Sequence, residues 1–358
     1  MKYWRGILVA AIVAACTWGL RTFSQAHTKL VDMIYPYVTR MMQGNMAQWS
    51  SGVDFSVWQV AMYCGIIVVL ALVVVMVVRH WNPIRLIGWV LAFVSVISLF
   101  NTVLYGLNEF SGPLAEDLRM EVVEYAYSPE ELEAAAIYYR DEANKLANQV
   151  EREGAEQVSV EFEELAAQAG NGFAHLVYDK GYSVFAGSTL PVKKMVGAGK
   201  GTPGKTVPLT GEATVNARLP MTALPFAMCH EMSHRMCIAI DRDADFGAFL
   251  ACISNESVAY QYAGYVTAYM ACLEAIEQTC TSDVVNRVVA GENENLKNDL
   301  KERDRFFGNR QVVDPQMCDL LVCWHIETQV LPTIEEEEVR FDPTDETQVD
   351  LSGIANAR

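Results

Sequence analysis

Residues 224–246 read LPFAMCHEMSHRMCIAIDRDADF. Pro225 is placed to begin a helix and Phe226–Cys237 holds no breaker, so the spacing predicts a helix with His230 and His234 one turn apart on a single face. With Glu231 beside them they form H-E-x-x-H, the pattern in which two imidazoles grip a Zn²⁺ ion and a carboxylate stands next to its water. A catalytic zinc wants a third protein ligand. The chain offers Asp241, Asp243 and Asp245 directly downstream. A break near Ile238–Ile240 and a second helix from Asp241 would double the chain back and bring a carboxylate to the rings. Asp241 and Asp245 lie four residues apart on one face of that helix, and Asp243 points elsewhere. One of Asp241 and Asp245 could therefore bind the metal while the other holds an imidazole N–H from behind, and Asp243 stays a further candidate for the third ligand. The competing reading of Asp241 is a plain helix cap. That of the whole motif is a solvated or core helix with two satisfied histidines.

Outward from this hairpin the chain reads as mainly α. Ser128-Pro129-Glu130-Glu131 is a capping-box start, and a helix should run from there to about Glu153, where Gly154 stops it. A second amphipathic helix is expected over Glu161–Gln168, and short β-like runs with Gly and Pro over Tyr182–Asn216 predict a small β element. From Leu224 to about Phe307 the pattern is helical, with breaks at Ile238–Ile240 and Ser254–Ser257. Val258–Ile276 is long enough to cross a membrane, but Gln261, Glu274 and four tyrosines argue for a helix buried in the domain. Beyond Pro332 the acidic run Glu335–Glu338 opens a solvated tail, residues 335–358.

The first third is different in kind. Residues 1–120 carry 8 basic and 5 acidic residues, whereas the remainder carries 19 and 39, a net charge of −20. That balance excludes a phosphate-tracking nucleic-acid binder, and 51% hydrophobic residues exclude a disordered chain. Three stretches qualify as spans, about 7–20, 58–78 and 84–107, joined by an outer linker at 21–57. Residues 1–110 are thus a lipid-embedded anchor, 111–334 an outer domain. Lys2 and Arg5 before the first span, and Arg79 and Arg85 in the turn between the other two, put those segments in the cytoplasm and the acidic domain outside. Val13-Ala14-Ala15-Cys16 also fits a lipoprotein cleavage site, which would remove the first span and lipidate Cys16. Of the nine cysteines, seven lie outside the apolar stretches, without C-x-x-C spacing, and read as small buried thiols.

Residues 199–206, GKGTPGKT, satisfy the P-loop expression, but Pro208 and Gly211 follow where a helix would have to start, so no nucleotide site is expected.

Thr210–Asn216 (TGEATVN), Leu224-Pro225-Phe226 running into His230–His234, Asp241–Phe246 and Tyr262-Ala263-Gly264-Tyr265, with Tyr105–Asn108 after the third span, resemble in that order an uncharacterised family of bacterial membrane proteins. This is the domain-of-unknown-function family 3810, with three N-terminal spans and an outer zincin-like domain; the resemblance covers about residues 30–280. It implies a zinc-dependent peptidase distantly similar to the membrane proteases that cleave prenylated or misfolded proteins. Those use H-E-x-x-H plus E-x-x-x-D, with the Glu as third ligand. That Glu falls here on Asp241, one methylene shorter, and the Asp falls on Asp245.

The expected function is then a membrane-anchored zinc endopeptidase acting on peptide or protein substrates. Glu231 would take a proton from the attacking water and pass it to the leaving amine. Glu212–Asn216 is read as an edge strand for an extended substrate, and Tyr260, Tyr262, Tyr265 and His325 as candidate oxyanion donors. The rival is a non-catalytic sensor or scaffold that keeps the fold and binds metal or a partner. A transporter is disfavoured, because the spans lack intramembrane charges.

Overall fold

The computed structural model describes residues 4–120, 127–154, 156–199, 201–308 and 313–332. The expected tail, 335–358, lies outside the described residues. The chain is mainly helical: α1 (Arg5–Ala26), α2 (Thr28–Ser50), α3 (Val57–Val78) and α4 (Pro83–Leu104) come first. A 3₁₀ turn at Gly106–Phe110 and the short α5 (Leu114–Asp117) lead into α6 (Pro129–Ala147), the hairpin β1 (Arg152–Glu153) and β2 (Glu156–Gln157), and α7 (Phe162–Tyr178). Then follow β3 (Lys193–Lys194), β4 (Gly204–Val207) and β5 (Glu212–Val215), and after them α8 (Leu224–Arg235), α9 (Asp241–Ile253), α10 (Val258–Thr279), α11 (Ser282–Ala290), α12 (Glu294–Phe307) and α13 (Met317–His325).

Three helices, α1, α3 and α4, are long and apolar enough to cross a membrane. α3 has a mean hydropathy of 3.0 in its best window, none of which is buried inside the protein. A water-facing helix of this composition would lose the stabilisation that apolar burial supplies, whereas lipid provides the apolar surroundings. α1 and α4 pack together with Gly6 against the Gly88 backbone, an approach that any Cβ at Gly6 would block. Cleavage before Cys16 would discard that contact.

The segment expected as a linker, 21–57, is instead mostly helix, since α1 runs on to Ala26 and α2 fills Thr28–Ser50. The inward face of α2 is Val31, Thr39, Gln43, Ala47 and Ser50, largely small and polar, so hydrophobic periodicity does not reveal it. Pro36 is tolerated inside this helix. Gln43 Nε2 donates to the Pro208 carbonyl at 3.1 Å and to that of Leu104 at 3.4 Å, and Arg40 Nε to that of Met236 at 3.1 Å, so α2 ties the apolar helix α4 to the rest of the chain.

α6 has the capping box read from sequence, with the Ser128 side chain accepting from the Glu131 N–H. It ends earlier than Glu153, because the chain turns into the β1–β2 hairpin through Gly154 at φ +67°. Arg152 donates from that hairpin to Asp299 at 2.9 and 2.6 Å. α7 runs ten residues past Gln168 to Tyr178. α10 is a core helix packed against α6, α8, α9 and α13, as its tyrosines suggest. The thiols of Cys229, Cys252, Cys272 and Cys318 are buried, and the described cysteines are all free.

The second sheet has the order β3-β5-β4, with β5 parallel to β3 and antiparallel to β4. This corrects the expectation for Glu212–Asn216. β5 is the central strand, buried at all four positions, and β3 and β4 are the edges. Gly204–Val207, the second half of the P-loop-like run, forms the β4 edge and turns back into β5 rather than into a helix. Glu212 also has a structural role: its carboxylate accepts from the Val57 and Trp58 N–H groups at 2.9 and 2.8 Å, capping α3, and pairs with Lys193 at 2.8 Å. Gln59 completes the joint, exchanging two hydrogen bonds with Val196. The sheet is therefore seated on the first turn of an apolar helix.

Candidate metal centre

α8 stops because Cys237 takes a left-handed conformation, φ +72°, where glycine is the usual residue. This turn aims the Ile238 carbonyl back at the helix, and His234 Nδ1 donates to it at 2.8 Å. The Tyr105 hydroxyl, at the end of α4, lies 3.3 Å from that nitrogen and 3.4 Å from that carbonyl. α9 then starts at Asp241 with Asp241 and Asp243 in its first turn, where carboxylates complement the helix dipole.

The three acids separate cleanly. Asp245 is 2% exposed and accepts from His230 Nδ1 at 2.6 Å through one oxygen and from the Asp314 N–H at 2.7 Å through the other. Asp243 is turned away, accepting from the Leu114 N–H at 3.1 Å and from Arg242 Nε at 2.8 Å. Asp241 Oδ1 lies 3.3 Å from His234 Nε2, with its side chain 74% exposed. With both Nδ1 atoms occupied by acceptors, each ring keeps Nε2 for the site. One donor atom each from His230, His234 and Asp241 falls within a span of 4.8 Å. Donors bound at 2.0–2.1 Å in a tetrahedral shell stand about 3.3–3.5 Å apart, a spacing that the His234–Asp241 pair already has.

Burial by itself would lower the pKa of His230. The hydrogen bond and charge of Asp245, joined by the charges of Glu231 and Asp241, outweigh it and hold the ring at about 9. The hydrogen bond from His234 holds the Asp241 carboxyl below its usual value, against some desolvation.

Glu231, 5% exposed, points between α8 and β4. Thr206 donates to its Oε2 at 2.7 Å, and a Cβ on Gly204 would stand 2.5 Å from its Cγ and Oε1. The edge strand thus presses directly on this carboxylate. A cavity of about 610 Å³ opens over the group, lined by β4, one face of α8, Asp241, Arg303 and Phe307 of α12, and Val313–Pro315.

The structure brings His230, Glu231, His234, Asp241 and Asp245 together, and none of the proposed oxyanion donors. Tyr260 and Tyr262 are buried in the core, donating to the Leu165 carbonyl at 2.7 Å and to Asp299. Tyr265 and His325 pack against Tyr138, with ring centroids 6.4 and 4.9 Å away. Such tyrosines fill apolar space and satisfy their hydroxyls locally. Sequence reading missed Thr206, Gly204, Tyr105 and Arg303. Each comes from an element distant in the chain, and Thr206 and Gly204 lay hidden in the P-loop-like run.

A family model described as "Protein of unknown function (DUF3810)" matches residues 31–317. The chain belongs to this family. No curated protein and no solved structure matches it. The DUF3810 match reaches past the expected limit near residue 280, through α11 and α12 to the first residue of α13. The DUF3810 region therefore contains the α8–α9 hairpin, the β4 edge and the cavity wall formed by Arg303 and Asp314.

Proposed function

We propose that this DUF3810 protein is a membrane-anchored, zinc-dependent peptidase that hydrolyses peptide bonds in extended segments of protein chain. One observation carries the reading: donor atoms of His230, His234 and Asp241 converge within 4.8 Å while Glu231 stands beside them under an edge strand. Two imidazole nitrogens and one carboxylate are a donor set that suits zinc and leaves a position open. A zinc ion held there would supply an acidified water and polarise a substrate carbonyl.

The chain's own residues do the rest. Asp245 and the Ile238 carbonyl fix both rings in the tautomer that presents Nε2 to the site. Glu231 accepts the proton of the attacking water and delivers it to the leaving amine; Thr206 occupies Oε2 and leaves Oε1 for that work. β4 offers its unpaired edge to the substrate backbone, so recognition falls on main-chain groups and suits bonds inside a chain. Because the sheet sits on the start of α3, cleavage takes place close to the lipid surface. Following the basic residues Lys2, Arg5, Arg79 and Arg85, that surface is the extracytoplasmic one.

A second reading, a metal-binding sensor without turnover, is favoured by one feature, the 74% exposure of Asp241. Purified full-length protein in detergent, loaded with zinc and given a broad peptide library, separates the two. The peptidase reading expects cleavage that a chelator abolishes, and Glu231→Gln should retain zinc while losing turnover by about 10²–10⁴-fold. Unchanged cleavage by Glu231→Gln would contradict the mechanism; a zinc-loaded wild type that cleaves nothing would favour the sensor.

A further inference from the structure

The cavity is acid-rich, with Glu231, Asp241, Asp245 and Asp314 in its wall, yet a buried cation stands among them. Arg303 of α12 is 2% exposed. Its Nη1 donates to the Thr222 carbonyl at 2.8 Å, and Nε is a buried donor with no partner. Its guanidinium lies over the Phe307 ring, 5.5 Å from the centroid. Among the described residues it forms no ion pair, whereas Arg140, Arg152 and Arg242 each pair with an aspartate. Arg235 is likewise buried and without an ion pair among the described residues, but it does not line the cavity. Burial lowers the pKa of Arg303 to about 10, which still leaves it charged at neutral pH.

A buried guanidinium without a counter-ion is costly, and its planar fork matches a carboxylate. We infer that Arg303 is a recognition site for a substrate carboxylate, so that the cavity selects chain segments carrying a negative group at a fixed distance from the bond that is cut. Thr222, which anchors the guanidinium, lies two residues before α8, and from Leu224 to His230 the helix rises about 9 Å. An extended peptide covers a distance of that order in about three residues at about 3.3 Å each. The carboxylate is then either the C-terminus of a chain or an Asp or Glu side chain at that spacing. The inference rests on the peptidase reading for its substrate class, but binding tests it without turnover.

The test uses full-length Glu231→Gln protein in detergent, zinc-loaded, and a pool of random hexapeptides in three forms: free C-terminal carboxylate, C-terminal amide, and amide with Glu placed at each position in turn. Retained peptides are quantified by mass spectrometry. The expected result is enrichment of at least about tenfold for the free acids, or for the amides with Glu at one position, over the plain amides. The first outcome identifies chain ends and the second internal acidic sites. In Arg303→Met, which keeps the stem but removes the charge, the enrichment should vanish, and Arg303→Lys should restore part of it. A merely structural arginine would lower the melting temperature in both variants and leave the enrichment ratio unchanged. Equal retention of all three forms, no retention of any, or enrichment that survives Arg303→Met would overturn the inference. Absence of cleavage by the zinc-loaded wild type, with the enrichment intact, would instead count against the peptidase reading alone.

Discussion

His230 and His234 sit one helical turn apart but belong to different parts of the molecule. His230 is held from inside the domain: the buried Asp245 accepts a hydrogen bond from its Nδ1 and is itself pinned by the Asp314 N–H. His234 is held at the margin next to the apolar helices, by the carbonyl that the Cys237 turn presents and by Tyr105 from the end of α4, and the acid facing it is exposed to solvent. One half of the site is over-determined by packing. The other half depends on a strained turn and on the seating of the apolar helices. Precision at His230 should therefore be coupled to fold stability, and precision at His234 to the anchor.

The pair Asp241 and Asp245 tests this division most severely. Asp241→Ala should weaken zinc binding by about 100-fold or more and leave thermal stability within about 0.5 kcal/mol, since it removes a ligand but almost no buried contact. Asp245→Ala should lower zinc affinity by about 10–100-fold and also destabilise the chain by about 1 kcal/mol, because it removes a buried acceptor from His230 and from the part-buried Asp314 N–H. Competition titration with a chelating dye and thermal unfolding, run on both variants, give the two numbers for each. Equal stability losses would erase the distinction between the two halves.

pH sharpens the comparison from the His230 side. With Asp245 beside it the ring stays protonated up to about 9, so a zinc ion bound there would have to displace that proton. Apparent zinc affinity should climb roughly tenfold per pH unit from 7 towards 9 and flatten above. The stability that protonated His230 contributes runs the other way: it is fully present below the ring's ordinary value of 6.5 and disappears as pH rises through about 9. Asp245→Ala removes the main cause of the raised value and should move the flattening to lower pH.

The smallest effect belongs to the anchor side. Tyr105→Phe deletes one hydroxyl contact at 3.3 Å from His234, and should cost roughly two- to fivefold in zinc affinity with no change in the amount of protein that inserts into membranes. No change at all would mean that the end of α4 does not position His234.

Much of the domain hairpin was legible in the chain, because its signals are local: Pro225 at the helix start, the i, i+4 spacing of the rings, a break before the acids, expected near Ile238–Ile240 and found to begin after Arg235, and the acids that open α9. The apolar helices α3 and α4 were equally plain from composition, although α4 ends three residues early where Tyr105 leaves the helical region. α2 escaped because its inward face is made of Thr39, Gln43, Ala47 and Ser50, which carry no hydrophobic period. The strand order escaped because four-residue strands do not state which neighbour they take, and so β5 was mistaken for the edge that β4 provides. Thr206 and Arg303 met Glu231's cavity through contacts 25 and more residues apart in sequence, which no local pattern encodes.

The most direct measurement is the X-ray absorption fine structure of the full-length protein loaded with one equivalent of zinc. The account predicts a first coordination shell of nitrogen and oxygen near ~2.0–2.1 Å, with outer-shell scattering from two imidazoles that falls to one in His234→Ala. A shell of oxygen alone, or two-imidazole scattering that survives that substitution, would contradict it.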